Sequence, residues 1–220
     1  MDFSGPDAAD FANVRALNHA FLARLRASNE GQSLHQQLPA GISTLIKALT
    51  NLQVERLAAT PLLLFSLRER DEAPWCALDA GNPGADLFAD SGGGSDELQA
   101  TAVSFLWQLA GRNPYAARLV SGASLVWCQR LAASTLLDVL RTAADSADLL
   151  QPRFTENEEC WRKLLGPGLS SVANVRRSAH VTCLQWLLTD DPVAGYQRLR
   201  AAACASSAPV LSVAEKNRRP

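Results

Sequence analysis

The sequence predicts an all-α fold, a bundle of about eight to nine helices whose two halves form either one domain or two helical subdomains. Three observations lead to this prediction. Apolar residues recur at helical spacing along most of the chain, which is typical of helices that bury one face. Serine, threonine, asparagine or aspartate precedes several of these stretches, as at helix N-termini. Hydrophobic residues make up 47% and charged residues 20% of the 220 residues, as in ordinary globular proteins.

The most apolar part of the chain is predicted to form the centre of the bundle. Three helices are predicted there, at 96–111, 114–131 and 134–144. Apolar side chains cover more than half of the first two, a pattern typical of helices inside a bundle. We therefore expect Phe105, Trp107 and Trp127 to lie in the core. The small residues Gly122–Ser124, in the middle of the second helix, predict a close approach of a neighbouring helix, either in the core or at a dimer interface.

The N-terminal part predicts shorter helices. A helix that begins at Phe11 and ends near Ser28–Gly31 is predicted to carry one apolar stripe, and the polar residues 30–37 predict a loop. Thr50 with Gln53 forms a capping box, which predicts a helix running to Ala58. Thr60–Pro61, a cap residue followed by proline, predicts a further helix start. The apolar run after it fits a buried helical turn or a short strand equally well.

The C-terminal part predicts further helices after the central three. Thr155 with Glu158 reads as another capping box. A longer helix from Ser170 or Ser171 is predicted to bury a stripe, made up of Val172, Val175, Ala179, Cys183, Trp186 and Leu187. Asp191–Pro192 predicts the start of a last helix.

Composition shifts divide the chain into four predicted parts. These are a helical module at 1–78, a Gly/Pro-rich linker or loop at 79–95, a helical bundle at 96–204 and a flexible tail at 205–220. Gly92–Gly94 is the best candidate for a boundary between the two halves.

Composition also narrows the class of protein. The net charge is -1 and the pI about 6.3, so the chain lacks the overall basic charge of proteins that bind DNA on their own. No apolar run approaches the roughly 18 residues of a membrane span. The N-terminus is acidic and polar, unlike a signal peptide, and the five cysteines are scattered, which fits a reducing compartment. We therefore expect a cytoplasmic protein that contacts DNA indirectly if at all.

Residue patterns for catalysis and cofactor binding are missing from the sequence. It contains no C-x-x-C, no H-E-x-x-H, no G-x-S-x-G and no phosphate-binding G-x-x-x-x-G-K-[ST]. His180 and Cys183 lie three residues apart and could share a metal ion with Cys160, but a packed thiol and a half-exposed imidazole are the interpretation we favour. We predict no catalytic, cofactor or metal site and no enzymatic activity.

An ordered series of residues between 17 and 68 carries a family resemblance. The series consists of Leu17–Asn18, Phe21–Leu22, Leu38, Gly41–Ile42, Leu45, Ala48–Leu49–Thr50, Gln53, Leu57–Ala58, Thr60 and Arg68. In these residues the chain resembles the flagellar transcriptional regulator FlhD. FlhD-type proteins are small, all-α, dimeric co-regulators whose partner subunit, FlhC, supplies much of the DNA contact. The resemblance implies that residues 1–78 form an FlhD-like module for dimerisation or partner docking.

The resemblance has limits in both halves of the chain. Phe65 stands where the family often has cysteine, so no intersubunit disulfide is implied, and the chain is much longer than a typical FlhD. Residues 117–125, 136–140 and 179–188 bear a fainter similarity to the N-terminal region of FlhC. The cysteine-rich zinc segment of FlhC has no counterpart here, so no metal or DNA contacts are carried over.

These observations predict a non-enzymatic bacterial regulatory protein of FlhD-like character. It would act as a transcriptional co-regulator through contacts with a protein partner, with a second copy of itself, or with both. A helical accessory or structural subunit of a larger bacterial assembly, such as a secretion apparatus, is the alternative. Arginine suits partner interfaces, and the candidate contact residues are Arg56, Arg68, Arg176 and Arg177.

Overall fold

A computed structural model describes residues 5–27, 32–71, 73–76, 78, 96–146 and 148–189. This part of the chain is mostly helical and packs as a bundle, which confirms the predicted fold class. Its α-helices are α1 Ala8–Arg26, α2 Gln32–Gln37, α3 Ile42–Lys47, α4 Asn51–Ala58, α5 Glu97–Arg112, α6 Pro114–Ser121, α7 Leu125–Ala133, α8 Leu136–Asp145, α9 Glu158–Leu165 and α10 Ala173–Thr189. The predicted linker, the helix after Asp191 and the tail lie outside the described residues.

A two-stranded antiparallel ribbon pairs a segment between α4 and α5 with a segment between α8 and α9. Its strands are β1 Phe65–Ser66 and β2 Gln151–Pro152, with Phe65 paired to Pro152. Two short 3-10 turns, Ala73–Trp75 and Pro167–Leu169, complete the described elements. None of the helices in these ranges has the length and apolarity of a membrane span.

Helix α5 lies at the centre of the bundle, in contact with α1, α6, α7 and α8. At its two ends, Asp96 pairs with Arg24 of α1, and Arg112 pairs with Asp10 at the start of α1. These pairs join the start of one helix to the end of the other, so α1 and α5 run antiparallel. A single hydrophobic cluster continues through residues on both sides of positions 79–95.

The predicted central core is confirmed in most positions. Phe105 is 8% exposed and Trp127 6%, and Trp127 meets Trp75 edge to face with ring centroids 5.1 Å apart. Trp107 is only partly buried, because its indole lies at the margin of the core and donates to Ser134 O at 2.8 Å.

The predicted single helix over 114–131 is wrong: the chain forms two helices there. Gly122 adopts a left-handed conformation with φ 67° and ends α6, and the Ser124 side chain then caps α7 by accepting from Trp127 N. Glycine reaches this conformation without the steric penalty of a β-carbon. The prediction that a neighbour approaches the small residues closely is correct, and it is the side chain of Leu187 that does so.

No helix starts at Thr60–Pro61, although the sequence predicts one. The buried side chain of Asn18 instead holds this segment in an irregular, partly extended form: its amide lies 2.9 Å from Leu62 O, and its carbonyl accepts from Leu64 N at 2.8 Å. The Thr60 hydroxyl donates backwards, to Leu57 O. The segment then enters β1, so the alternative of a short strand is the correct one for its end.

Three other local predictions are corrected. Residues 32–37 form α2 rather than a loop, because Leu34, just 5% exposed, packs into the core. Asn157, not Thr155, caps α9 by accepting from Cys160 N at 3.0 Å. Val172 and Val175 are 56% and 44% exposed, so the buried stripe of α10 begins only at Ala179.

Candidate partner-contact surface

Two arginines from distant parts of the chain bind adjacent main-chain carbonyl groups. Arg56 of α4 donates from Nη1 to Leu169 O at 3.0 Å, and Arg176 of α10 donates from Nη1 to Ser170 O at 2.7 Å. Leu169 and Ser170 belong to the short connection between α9 and α10. The two guanidinium groups are therefore both held on one connection, which α4 and α10 each contact.

Each of these arginines has an exposed aliphatic side chain one helical turn before it. Leu52 precedes Arg56 by four residues and is 62% exposed, and Val172 precedes Arg176 by four residues and is 56% exposed. Residues four apart lie on the same side of a helix. Val172 directly precedes α10, and Arg176 N donates to Val172 O, so the same spacing holds there. We group these residues with Val175 and call the set the arginine face: Leu52, Arg56, Val172, Val175 and Arg176. Its two parts are linked by the bonds of Arg56 and Arg176 to the adjacent carbonyls of Leu169 and Ser170.

The arginine face is positively charged. Residues 160–189 contain no aspartate or glutamate. On α4, the Glu55 carboxylate lies against Arg15 at 2.5 Å and His19 at 3.5 Å, and the hydrogen bond from Arg15 lowers the pKa of Glu55. In the ranges that the structure covers, no carboxylate forms an ion pair with Arg56 or Arg176. Their remaining N–H donors are thus left to solvent or to a bound partner.

The four predicted contact residues do not all fall on this surface. Arg56 and Arg176 come together, and Arg177 is exposed beside Arg176. Arg68 lies at the ribbon instead, in a left-handed conformation with φ 52°, and pairs with Asp71 at 2.8 Å.

Sequence reasoning missed the apolar half of the arginine face. Val172 and Val175 fit the same helical stripe as Ala179 and Cys183, so periodicity assigned them to the core. Val172 in fact precedes the first residue of α10, and nothing among the described residues covers that end of the stripe. The signal that could have separated them is Arg176–Arg177 beside Val175, which favours a solvent-facing turn.

The histidine and two cysteines considered as metal ligands lie where α9 packs on α10. The Cys183 thiol lies 3.7 Å from Cys160 O, and its interaction with the Cys160 side chain lowers the pKa of Cys183. His180 is buried, with 7% exposure, and not half-exposed as expected from the sequence; this burial lowers its pKa. No set of three metal-ligating side chains is grouped within the part of the chain described above. Both thiols are completely buried and belong to the hydrophobic cluster.

No family model, no curated protein and no solved structure matches this chain at a significant level. The function is therefore argued from the residues of the chain itself.

Proposed function

We propose that this protein is a non-enzymatic bacterial regulator, a transcriptional co-regulator of FlhD-like character that acts in the cytoplasm through protein–protein contacts. The arginine face is the surface that binds the partner. The observation that carries this proposal is the anchoring of Arg56 and Arg176 on the adjacent carbonyls of Leu169 and Ser170. An arginine that is already ordered loses less conformational entropy on binding, and arginines are enriched among the residues that dominate interface energies.

The chemistry of the arginine face favours an acidic, aliphatic segment of a partner protein, most simply an amphipathic helix. Its carboxylates would pair with the two guanidinium groups, since complementary charge directs association. Its aliphatic side chains would cover Leu52, Val172 and Val175, which are exposed in the free protein. A phosphate backbone would leave these aliphatic side chains in water, which favours a protein over a nucleic acid.

The resemblance to FlhD supports the same function from a separate direction. It implies a module that works with a partner subunit. Arg56 is not one of the resembling residues, but it lies between two of them, Gln53 and Leu57. The neutral overall charge agrees with a co-regulator whose partner supplies the DNA contact.

Site-specific crosslinking in the native host tests the proposal. A photoreactive benzoylphenylalanine replaces Val175 in the full-length chain, and a second strain carries it in place of the exposed Tyr115, outside the arginine face. We expect position 175 alone to capture one partner, with the crosslink mapping to an acidic, aliphatic segment. A component of the transcription machinery would support regulation. A secretion or motor component would instead support the alternative function in a larger assembly, and the same capture from both positions would overturn the surface assignment.

Binding of the identified partner to purified variants then tests the two arginines. Arg56→Glu and Arg176→Glu should each weaken binding about tenfold or more, because each reverses a charge at the interface. Arg162→Glu, at an exposed position of α9 where Arg162 pairs with Glu158, is the charge-reversal control and should leave binding within about twofold. Equal effects of all three substitutions would show that partner binding depends on the net charge of the protein and not on the arginine face.

A gel shift with promoter DNA at two salt concentrations separates direct DNA binding from the proposed role. Binding through phosphates weakens steeply as salt rises. Tight, salt-sensitive binding by the protein alone, lost in Arg56→Glu, would show that the arginine face is a nucleic-acid surface and would overturn the proposal.

A further inference from the structure

A cavity of about 260 Å³ opens beside the ribbon, in the region where the chain leaves β1 and β2. We call it the ribbon cavity. Its walls come from residues 66, 68–71 and 151–157, together with Leu187 of α10. The ribbon cavity and the arginine face share no residue.

Two strained residues line the ribbon cavity. Arg68 and Phe154 have φ values of 52° and 58°, and they are the non-glycine residues with positive φ among those described. Such conformations persist where surrounding contacts hold them, and they concentrate at binding sites. The chain turns at Arg68, so that the carboxylate of Glu69 accepts a hydrogen bond from Leu67 N at 2.8 Å.

The floor of the ribbon cavity is a buried ion pair. Arg153 Nη2 lies 2.9 Å from Glu69 Oε1, and the two side chains are 7% and 3% exposed. Arg153 also donates from Nε to Leu63 O at 3.0 Å and from Nη2 to Phe65 O at 2.8 Å. Because these contacts satisfy both charges, the floor is rigid and electrically neutral.

The ribbon cavity is lined by equal numbers of positive and negative side chains, and one side chain of each sign is not part of an ion pair among the described residues. The lining includes three arginines and three carboxylates: Arg68, Arg70, Arg153, Glu69, Asp71 and Glu156. Arg153 pairs with Glu69, and Arg68 pairs with Asp71. Arg70 and Glu156 are exposed, and neither forms an ion pair with any residue that the structure describes. The lining therefore presents one cation and one anion that form no ion pair with the described residues.

We propose that the ribbon cavity binds a small zwitterion of the free α-amino acid class, with Arg70 binding its carboxylate and Glu156 its ammonium group. A guanidinium matches a carboxylate through two parallel hydrogen bonds. A simple anion would meet Glu156 unpaired, and a simple cation would meet Arg70 unpaired, so a ligand with both charges fits best. The cavity is smaller than the ~300–1,000 Å³ of sites for drug-sized ligands, which agrees with a ligand of this size.

The side chains of Ser66, Gln151 and Thr155 supply the remaining polar groups of the ribbon cavity. Within the described ranges none of these three has a hydrogen-bond partner for its side chain, so each is available to a ligand. They lie on both wall segments, and Ser66 and Gln151 are cross-strand partners in the ribbon. Such a placement lets the ligand contact both strands at once.

Binding of free amino acids to the purified full-length protein tests this inference. Each of the common amino acids is added singly at millimolar concentration, with the melting temperature as the first readout and calorimetry for those that raise it. We expect at least one to bind, because a ligand that binds only the folded state raises its stability. Its amide, which lacks the carboxylate, and its deaminated acid, which lacks the ammonium group, should each bind at least tenfold more weakly.

Variants of the two unpaired groups complete the test. Arg70→Gln and Glu156→Gln should each weaken binding at least tenfold while the unliganded protein melts as the wild type does, since both side chains are exposed. Arg162→Gln, an exposed arginine outside the cavity, should bind normally. The inference is overturned if no amino acid binds, if the deaminated acid binds as well as its parent, or if either cavity variant binds normally. All of these results are independent of partner binding at the arginine face.

Discussion

The α-carbon of Gly122 faces the side chain of Leu187 so closely that a β-carbon at position 122 would lie 2.4 Å from Leu187 Cδ1. Gly122 also has φ 67°, which L-residues rarely adopt. Two independent constraints, backbone conformation and lack of space, therefore require glycine where α6 ends.

Gly122→Ala should lower the free energy of unfolding by about 2–5 kcal/mol, the sum of left-handed strain and overpacking. Gly41 separates the two causes, because its φ is 82° but open space surrounds it. Gly41→Ala should therefore cost only about 1–2 kcal/mol. Gly111→Ala, in helix α5 with open space, should stabilise by ~0.5–1 kcal/mol. Urea unfolding measures all three, and equal losses at 41 and 122 would contradict the contact with Leu187.

Asn18→Leu should destabilise the protein by about 2–5 kcal/mol, because it leaves buried main-chain groups without partners. The Asn18 side chain is completely buried and bonds to Leu62 O and Leu64 N. Asn13→Leu is the matched control on the exposed side of the same helix and should change stability by less than ~0.5 kcal/mol. Similar effects of the two substitutions in urea unfolding would rule out this role for Asn18.

Trp127→Ala should cost ~3–5 kcal/mol, as for large aromatic side chains removed from cores. Trp107→Ala should cost less, because the Trp107 side chain is only partly buried. Trp127→Phe should be the mildest of the three, since the buried indole N–H of Trp127 has no acceptor among the described residues and its loss breaks no hydrogen bond. Thermal unfolding ranks the variants, and a larger loss for Trp107→Ala than for Trp127→Ala would show that the core is misplaced.

Stability should fall as the pH drops below about 6.5, in part through His180. Burial, with a smaller contribution from the charge of Arg176, lowers the pKa of His180 below its usual 6.5. The unfolded chain therefore takes up the proton first, and the free energy of unfolding decreases between pH 6.5 and the lower pKa of the folded state. The pKa of His35 is lowered by burial as well, so it adds to the same slope.

His180→Gln should make that pH dependence shallower, since it removes one of the two histidines whose pKa is lowered by folding. Urea unfolding at pH 7.5, 6.5 and 5.5 measures the slope for the wild type and the variant. A slope unchanged by the substitution would show that His180 takes up its proton equally in both states.

Features that depend on neighbours within one helical turn could be predicted from the sequence alone. The capping box of Thr50 with Gln53 is present, and Asn113 caps α6 ahead of Pro114. The apolar spacing of α1 and α5 identified their buried faces. These features are local because a cap or a helical stripe involves residues only three or four positions apart. The same local information established an all-α bundle.

The tertiary structure decided whatever depends on residues far apart in the chain. Leu187 and Gly122 set the break between α6 and α7, and Asn18 keeps the segment after Thr60 out of a helix. The carbonyl that holds Arg56 lies 113 residues away from it in sequence. The ribbon cavity likewise takes its two walls from distant segments. Such contacts form only when helices that are distant in sequence pack against one another. A sequence pattern within one helical turn therefore cannot predict them.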